Sequence, residues 1–548
     1  MTVAIIAGYL AVLVGLGLLA RRRARPGDED FFLAGRSFGP VLLLATMAAT
    51  NFSSFTVFGF AGEGYRSGWA WYPIMAFGTG FMALSFIFLG IPVARAGRRL
   101  GAMTPPELIR LRFGNRWLHA AYLAVMVVFT LPYLALQPLG AGYALSGLTG
   151  LPPALGAVLV TVIGVGYLLL AGLRGDAWTD ALQGLVMLAA LVALCCGLAG
   201  ALGGFARAQR LVAETVPGLF SRPGPGNITP GIWFSYLFLW FVCDPMFPQL
   251  FQRFLAARDE RALARSAALY PVVCAVLFFL PVAIGVMGRL VAPGLEGSAA
   301  DQVLAVVAAE ALPGWAAAAV LAAGVAALMS TMDSQLLVLS AMVVRDLPRV
   351  FGRERLRFPG RRASVVLLAG IGLVLAVRPA GTMLAIATQA FTGLAVLFPV
   401  TVAAAYWRGA NPWAGLASIV AGQALVALYH FKLLPAYGFL PVVPVVLASA
   451  AVLVAGSLLF PARGLEPWAR TTRSGLWRSL VFGLVFLAAL DFPAWPQSGS
   501  GWFGLPTWLP YHIGLCLLLS LVIARLGRAP QQVQSLRSRS VTAPSRTR

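Results

Sequence analysis

Apolar runs of about twenty residues recur along the whole chain, separated by short stretches rich in arginine, glycine and proline. An α-helix crosses the ~30 Å hydrocarbon core of a bilayer in about 20 residues, so each run is long enough to span a membrane. The pattern predicts about fifteen transmembrane helices, at 2–20, 38–62, 70–94, 118–146, 154–173, 180–203, 231–256, 267–290, 314–344, 363–378, 382–407, 413–430, 438–460, 477–491 and 510–526. The expected fold class is an all-α polytopic membrane protein. Two runs are interrupted. The one starting at 38 carries Thr50-Asn51-Phe52-Ser53-Ser54 at its middle, where an ordinary span holds Leu or Val. A polar break at that depth is tolerated only where it lines a cavity or packs inside protein, which points to a solute or ion site. In the run 231–256, Pro245 and Pro248 remove backbone donors and force the helix to kink or unwind near Asp244.

Composition agrees with the pattern: 59% of residues are hydrophobic, 11% are charged and the mean hydropathy is +0.83. The formal charge of +22 would suggest nucleic acid in a soluble chain. Here the arginines lie in short loops between apolar runs, and no nucleic-acid partner is expected. Alternate loops from 21–25 to the tail after Arg525 hold 34 of the 40 arginines, and the other loops hold six plus Lys432. The positive-inside rule then places the N-terminus outside and the C-terminus in the cytoplasm of a cell (inner) membrane protein. The basic run follows the first apolar stretch, the reverse of a signal peptide, so the first span is expected to remain. Cys195, Cys196, Cys243, Cys274 and Cys516 fall in apolar spans without metal-ligand spacing, and the three histidines form no cluster. Neither an enzyme nor an organic cofactor is expected. Residues 529–548, rich in Gln, Ser and Arg, are expected to be disordered. Membrane lipid is the expected surrounding, and the oligomeric state is left open.

The run 321–346 holds a second polar constellation. Ala327, Ser330, Thr331 and Ser334 stand at i, i+3, i+4 and i+7 and share one helical stripe, with Asp333 beside them. Hydroxyls and main-chain carbonyls are hard donors suited to a small alkali cation, and the break near Asn51 frees carbonyls to complete such a shell. Serine and threonine in membrane helices also bond back to the preceding turn. A carboxylate at bilayer depth, costing ~2.5–3.5 kcal/mol on insertion scales, favours a site here.

With these residues in view, the chain resembles the sodium:solute symporters, the group of the proline, pantothenate, sialic acid and sodium/glucose carriers. The resemblance runs from about Asp30 to Phe460. It rests on Phe31-Phe32-Leu33-Ala34-Gly35-Arg36-Ser37 before the broken helix, and on Gly59 through Gly62 with Tyr65 and Gly68 after it. Trp178-Thr179-Asp180, Gln252-Arg253-Phe254, Ser330-Thr331 with Asp333-Ser334, and Phe398-Pro399 ahead of Tyr406-Trp407 complete the set.

The resemblance implies a five-plus-five inverted repeat with discontinuous helices, 38–203 against 231–407. Residues 1–37 would form a leading helix and cytoplasmic loop, 204–230 an external loop, and 408–528 additional C-terminal helices. It implies a main sodium site from the carbonyls of Ala49, Phe52 and Ala327 and the hydroxyls of Ser330 and Thr331. A second sodium site at Asp180, Asp333 and Ser334 occurs in some relatives. Asn51 stands where the proline carriers have an aspartate. Asp180 reads equally as an ion relay or a helix N-cap.

The expected solute-binding residues are Asn51, Ser54, Tyr133, Gln137, Trp240 and Asp244. Trp240 matches a pocket aromatic of the proline carriers, and Asp244 replaces a tyrosine. A carboxylate there attracts a solute ammonium or a proton, or else caps the broken half-helix. Tyr133 and Gln137, with Phe113 to Trp117, resemble the monocarboxylate and amino-acid branch. The expected function is sodium-coupled import of a small polar solute, an amino acid or small carboxylate, by alternating access. A proton-coupled carrier of the same fold and a transporter-like receptor are the alternatives. Arg36, Arg110, Arg112, Arg116 and Arg253 are expected to anchor the cytoplasmic interface, and Asp176 is assigned no role.

Overall fold

The computed structural model describes residues 27–226, 228–352, 360–462, 464–469, 473–492, 495 and 499–527, with positions 8, 12 and 15. The expected first span, apart from those three positions, and the tail 529–548 lie outside the described residues. Among those described, nine helices are long and apolar enough to cross a membrane, and three shorter apolar helices accompany them.

Both expected breaks are present. Helix α1 (Pro40–Asn51) ends where Phe52 leaves helical geometry (φ −84°, ψ 82°), and a π-helical turn Phe55–Gly59 leads into α2 (Phe60–Ser67). Gly68, at φ 79°, closes α2 so near the Leu219 main chain that a Cβ has no room. Then come α3 (Trp71–Met82), the loop helix α4 (Pro105–Phe113), the long α5 (Arg116–Thr149) and α6 (Pro153–Ala201). The second break separates α7 (Pro230–Cys243) from α8 (Pro248–Ala256) through a 3₁₀ turn at Asp244–Met246 and an extended Phe247 (φ −59°, ψ 122°). Pro245 and Pro248 supply the physical cause, since neither can donate the bond that would continue α7.

Helices α9 (Glu260–Val291) and α10 (Gly314–Val350) complete the polar core's surroundings: α9 packs on α2 and α3, and α10 on α5 and α6. Helices α11 (Arg361–Val377), α12 (Met383–Ala395) and α13 (Phe398–Tyr406) follow. Beyond them, α14 (Pro412–His430) pairs with α15 (Val442–Leu459), α16 is Arg473–Ala488, and α17 (Leu509–Leu526) lies along α9.

Two expectations are corrected. Asp180 lies inside α6, and its carboxylate accepts side-chain hydrogen bonds, so it does not cap a helix start. The Thr179 hydroxyl bonds back to the Gly175 and Asp176 carbonyls within the same helix. Arg253 is fully buried, whereas a snorkelling anchor would keep its guanidinium at the interface. Arg112 is also buried, donating to the Ala404 and Trp407 carbonyls.

Candidate ion and solute site

Unwinding a helix strands main-chain amides and carbonyls, and in a buried place each needs a partner. At the first break, Ser54 N donates to Gln137 Oε1 at 3.0 Å, and Gln137 Nε2 donates to the Tyr133 carbonyl at 3.1 Å. Tyr133 Oη donates to Ser53 Oγ at 3.2 Å. Gln137 therefore supports the break from α5, and neither it nor Ser54 is among the residues that line the cavity described below.

The carbonyls on the other side of the break face α10. Ser330 Oγ lies 3.3 Å from the Ala49 carbonyl oxygen and donates to Asp180 Oδ1 at 2.6 Å. Thr331 Oγ1 donates to the Thr50 carbonyl at 3.1 Å. Ala49, Asp180, Ser330 and Thr331 are all buried, and Phe52 sits at the break with no exposure. Ala327 lies within α10, with its side chain outside the described residues. Hydroxyl, carbonyl and carboxylate oxygens from three helices thus converge on one small volume.

The trio Asp180, Asp333 and Ser334 is not brought together as expected. Asp180 and Ser334 share a cluster bridged by Thr50 Oγ1, at 3.2 Å from Asp180 Oδ2 and 3.3 Å from Ser334 Oγ. Asp333 is fully buried, but neither of its carboxylate oxygens has a hydrogen-bond partner. Four residues of the cluster were missed in the sequence: Thr46, Thr50, Asp176 and Arg253. Arg253 Nη2 donates to Asp176 Oδ2 at 2.8 Å, Asp180 Oδ2 at 3.0 Å and Ser334 Oγ at 2.5 Å. Thr46 Oγ1 donates to Asp180 Oδ2 at 2.6 Å. The i, i+4 spacing of Thr46 with Thr50 was the signal for those two, whereas Asp176 and Arg253 gave none.

A cavity lies between the two breaks. Its volume is about 10 Å³, room for no more than one water. Phe55, Tyr133, Trp240, Phe247, Phe278 and Phe391 form its aromatic walls, and Asn51, Thr56, Thr79 and Asp244 its polar ones. The ring centroids of Phe391 lie 4.8 Å from Tyr133, 4.7 Å from Phe247 and 5.6 Å from Trp240. The Asp244 side chain caps no helix start: α8 follows Phe247 without a side-chain cap, and Asp244 lines the cavity beside Asn51, whose Nδ2 donates to Tyr270 Oη at 2.8 Å. Phe247, Phe278 and Phe391 gave no sequence signal, because isolated phenylalanines in apolar runs look like packing, and Thr79 gave none because a lone hydroxyl in a membrane helix reads as bonded to its own turn.

Two further groups of ion pairs link elements outside the cavity lining. Arg66 on α2 donates to Glu63 at 2.5 Å and Asp301 at 2.8 Å, while Asp301 Oδ2 accepts the Met383 amide that opens α12. Glu107 of α4 pairs with Arg345 at 3.4 Å and with Arg349, both on α10.

Two broken helices beside a small cavity, with oxygen donors gathered at one break, are the architecture of a secondary active transporter of the inverted-repeat class, and comparison with known proteins agrees. Solved structures share this fold. A Na+-coupled sialic acid symporter in a substrate-bound outward-open state aligns with TM-score 0.69 at 18% identity, over 85% of this chain and 99% of that one. Mhp1, a nucleobase-cation-symport-1 family transporter, aligns with TM-score 0.58 at 17% identity, over 84% and 99%. Residues 31–422 match the sodium:solute symporter family, and the chain belongs to it. The sodium/pantothenate symporter of Escherichia coli K12 is 30% identical over 465 residues, covering 82% of this chain and 94% of that protein. The sodium/proline symporter of Staphylococcus aureus is 26% identical over 451 residues, covering 78% and 85%. The protein is a multi-pass membrane symporter that couples sodium to the movement of a small solute.

Proposed function

We propose that this symporter imports a small zwitterionic solute of the amino-acid type, with Asp244 receiving its ammonium group. Asp244 is the observation that carries the reading. It is 2% exposed, the polar side chains that line the cavity with it are neutral, and no basic residue is among the described cavity-lining residues. A buried carboxylate without a countercharge calls for a cation, and the surrounding rings favour one by cation–π attraction. Trp240 Nε1 is buried without a hydrogen-bond partner and is free to donate to the solute carboxylate. Of the solutes named for the two relatives, proline carries both groups, whereas pantothenate carries a carboxylate and no basic amine.

Sodium binds between the Ala49, Phe52 and Ala327 carbonyls and the Ser330 and Thr331 hydroxyls. By bridging α1 to α10 it favours the state in which the solute site is formed, so ion and solute raise each other's affinity by one common factor. The halves 38–203 and 231–407 move against each other, in a cell membrane whose cytoplasmic side carries the arginine-rich loops. A second reading, proton coupling through Asp333, is favoured by that carboxylate's lack of a partner. Uptake driven by a pH gradient without sodium would support it.

The test is sodium-driven uptake into proteoliposomes of labelled amino acids, small monocarboxylates and pantothenate, each offered separately. The expected result is uptake of one or more amino acids, weakened by Asp244→Asn. Uptake of monocarboxylates or pantothenate alone, unaffected by Asp244→Asn, would overturn the assignment.

A further inference from the structure

A second cavity, of about 810 Å³, lies at the seam between the repeat and the added helices. Helices α5, α12 and the last turns of α14 wall it, with Tyr236 of α7, Arg378 at the end of α11 and Pro441 before α15. No residue of α1, α2 or α3 is among its described lining residues, and it shares none with the cavity between the breaks. Its size is that of a site for a molecule. The larger wall side chains include Phe129, Leu136, Leu139, Leu384, Ile386 and Val426. Three of the polar groups on the walls are taken up by the chain: Gln423 Nε2 donates to the Gly393 carbonyl at 2.9 Å, Thr392 Oγ1 donates to the Thr388 carbonyl at 2.7 Å, and Thr382 Oγ1 accepts the Ala385 amide at 3.2 Å. Charge stands at one end. Arg378, at the end of α11, and His430 and Lys432, at the end of α14, belong to the lining, and no Asp or Glu is among its described residues. Exposed Leu375 and Phe431 flank them, and Leu433, Tyr437 and Phe439 of the following loop are exposed too. Basic side chains beside exposed aromatic and aliphatic ones suit the headgroup level of a bilayer.

We propose that this cavity binds an anionic phospholipid of the surrounding membrane, with its headgroup at Arg378 and Lys432 and an acyl chain between α5, α12 and α14. Three features select such an occupant. Apolar walls of this extent match hydrocarbon and offer little to a small polar solute. Positive charge at one end, with no acid in the lining, calls for an anion, and basic pockets between membrane helices take anionic headgroups. The charged end is bordered by exposed apolar side chains, so a lipid enters from the bilayer without passing through water. The chain fills the space between α12 and α14, which Gln423 bridges at one point, and so holds α12 against the added helices. Because α12 carries Phe391, a wall of the first cavity, the added helices and their lipid support that wall from behind.

The experiment uses the full chain, purified in detergent and washed free of lipid, with dioleoylphosphatidylglycerol as the probe and dioleoylphosphatidylcholine as its zwitterionic counterpart. Bound lipid is counted by native mass spectrometry, and the thermal midpoint is followed as lipid is added, since a ligand of the folded state raises it. One phosphatidylglycerol should be retained per chain, and phosphatidylcholine should bind at least about 5-fold more weakly. Arg378→Gln/Lys432→Gln changes two exposed side chains and leaves the packing intact; it should weaken phosphatidylglycerol binding about 25-fold, about 5-fold for each charge lost. Ala427→Trp, at an exposed lining position of α14, keeps both charges but occupies the cavity, and the retained lipid should be lost. Wild-type binding in either variant, or equal binding of the two lipids, would overturn the proposal. Oleate that binds as tightly as phosphatidylglycerol would give the site to a free anionic amphiphile, and displacement of the lipid by amino acids or pantothenate would make the cavity part of the solute's path. Either result would overturn the assignment to a phospholipid.

Discussion

At the scale of single residues, the site depends on oxygen atoms that the two breaks release and on side chains that claim them. Thr331 and Ser330 bridge α10 to the Thr50 and Ala49 carbonyls. Removing a hydroxyl from a buried, charge-assisted contact costs about 1.5–3 kcal/mol, equivalent to roughly 10- to 100-fold in affinity. Ser330→Ala should therefore raise the sodium concentration for half-maximal uptake by at least about 10-fold, with little change in maximal rate at saturating sodium. The same scale applies to Asp244→Asn, which should weaken the apparent solute affinity by about 10- to 100-fold in a competition assay. The sequence made these residues legible because their chemistry is out of place: hydroxyls on one stripe, an aspartate between two prolines. It hid Asp176 and Arg253, since each sits beside a short basic loop and looks like an ordinary interfacial charge. Only the fold reveals that they face each other in the interior.

At the scale of elements, the discontinuities in α1–α2 and α7–α8 need support from intact neighbours. Gln137 on α5 satisfies the Ser54 amide that α1 leaves behind. Gln137→Leu should strand that amide and lower stability by about 1–3 kcal/mol, read as a drop in thermal midpoint in detergent. A second support is the contact of the loop helix α4 with α10 through Glu107. Burial works to raise its carboxyl, but the Met103 amide and the Arg345 and Arg349 guanidinium groups outweigh it and hold it below the ordinary value of 4.5. A depressed acid stabilises the folded state above the unfolded value and loses that contribution as pH falls through the folded one. The thermal midpoint should thus drop below about pH 4.5 in the wild type, and Glu107→Gln should flatten that part of the profile. If both proteins give the same curve, the pair contributes nothing to holding α4. The breaks were readable from Asn51 to Ser54 and from Pro245 and Pro248, whereas their supports were not, because a glutamine or a glutamate says nothing of which distant amide or guanidinium it will meet.

At the scale of the whole molecule, hydropathy alone carried the membrane class, and the ordered motifs carried the inverted-repeat fold and the family. Substrate did not follow from them, since it is decided by a cavity whose walls come from five or more separated helices. The arginine distribution predicts sidedness, which cysteine labelling tests in a chain cleared of its native cysteines. Lys432→Cys should react with a membrane-impermeant reagent added to intact cells, and Arg261→Cys should react only after permeabilisation. The account's central claim is that sodium held between the first break and α10 drives solute uptake. Its most direct test is solute uptake into proteoliposomes with and without an inward sodium gradient, comparing wild type with Ser330→Ala/Thr331→Ala. The account predicts sodium-dependent accumulation in the wild type and its loss in the double variant at the same sodium concentration. Accumulation that is equal in both proteins would contradict it.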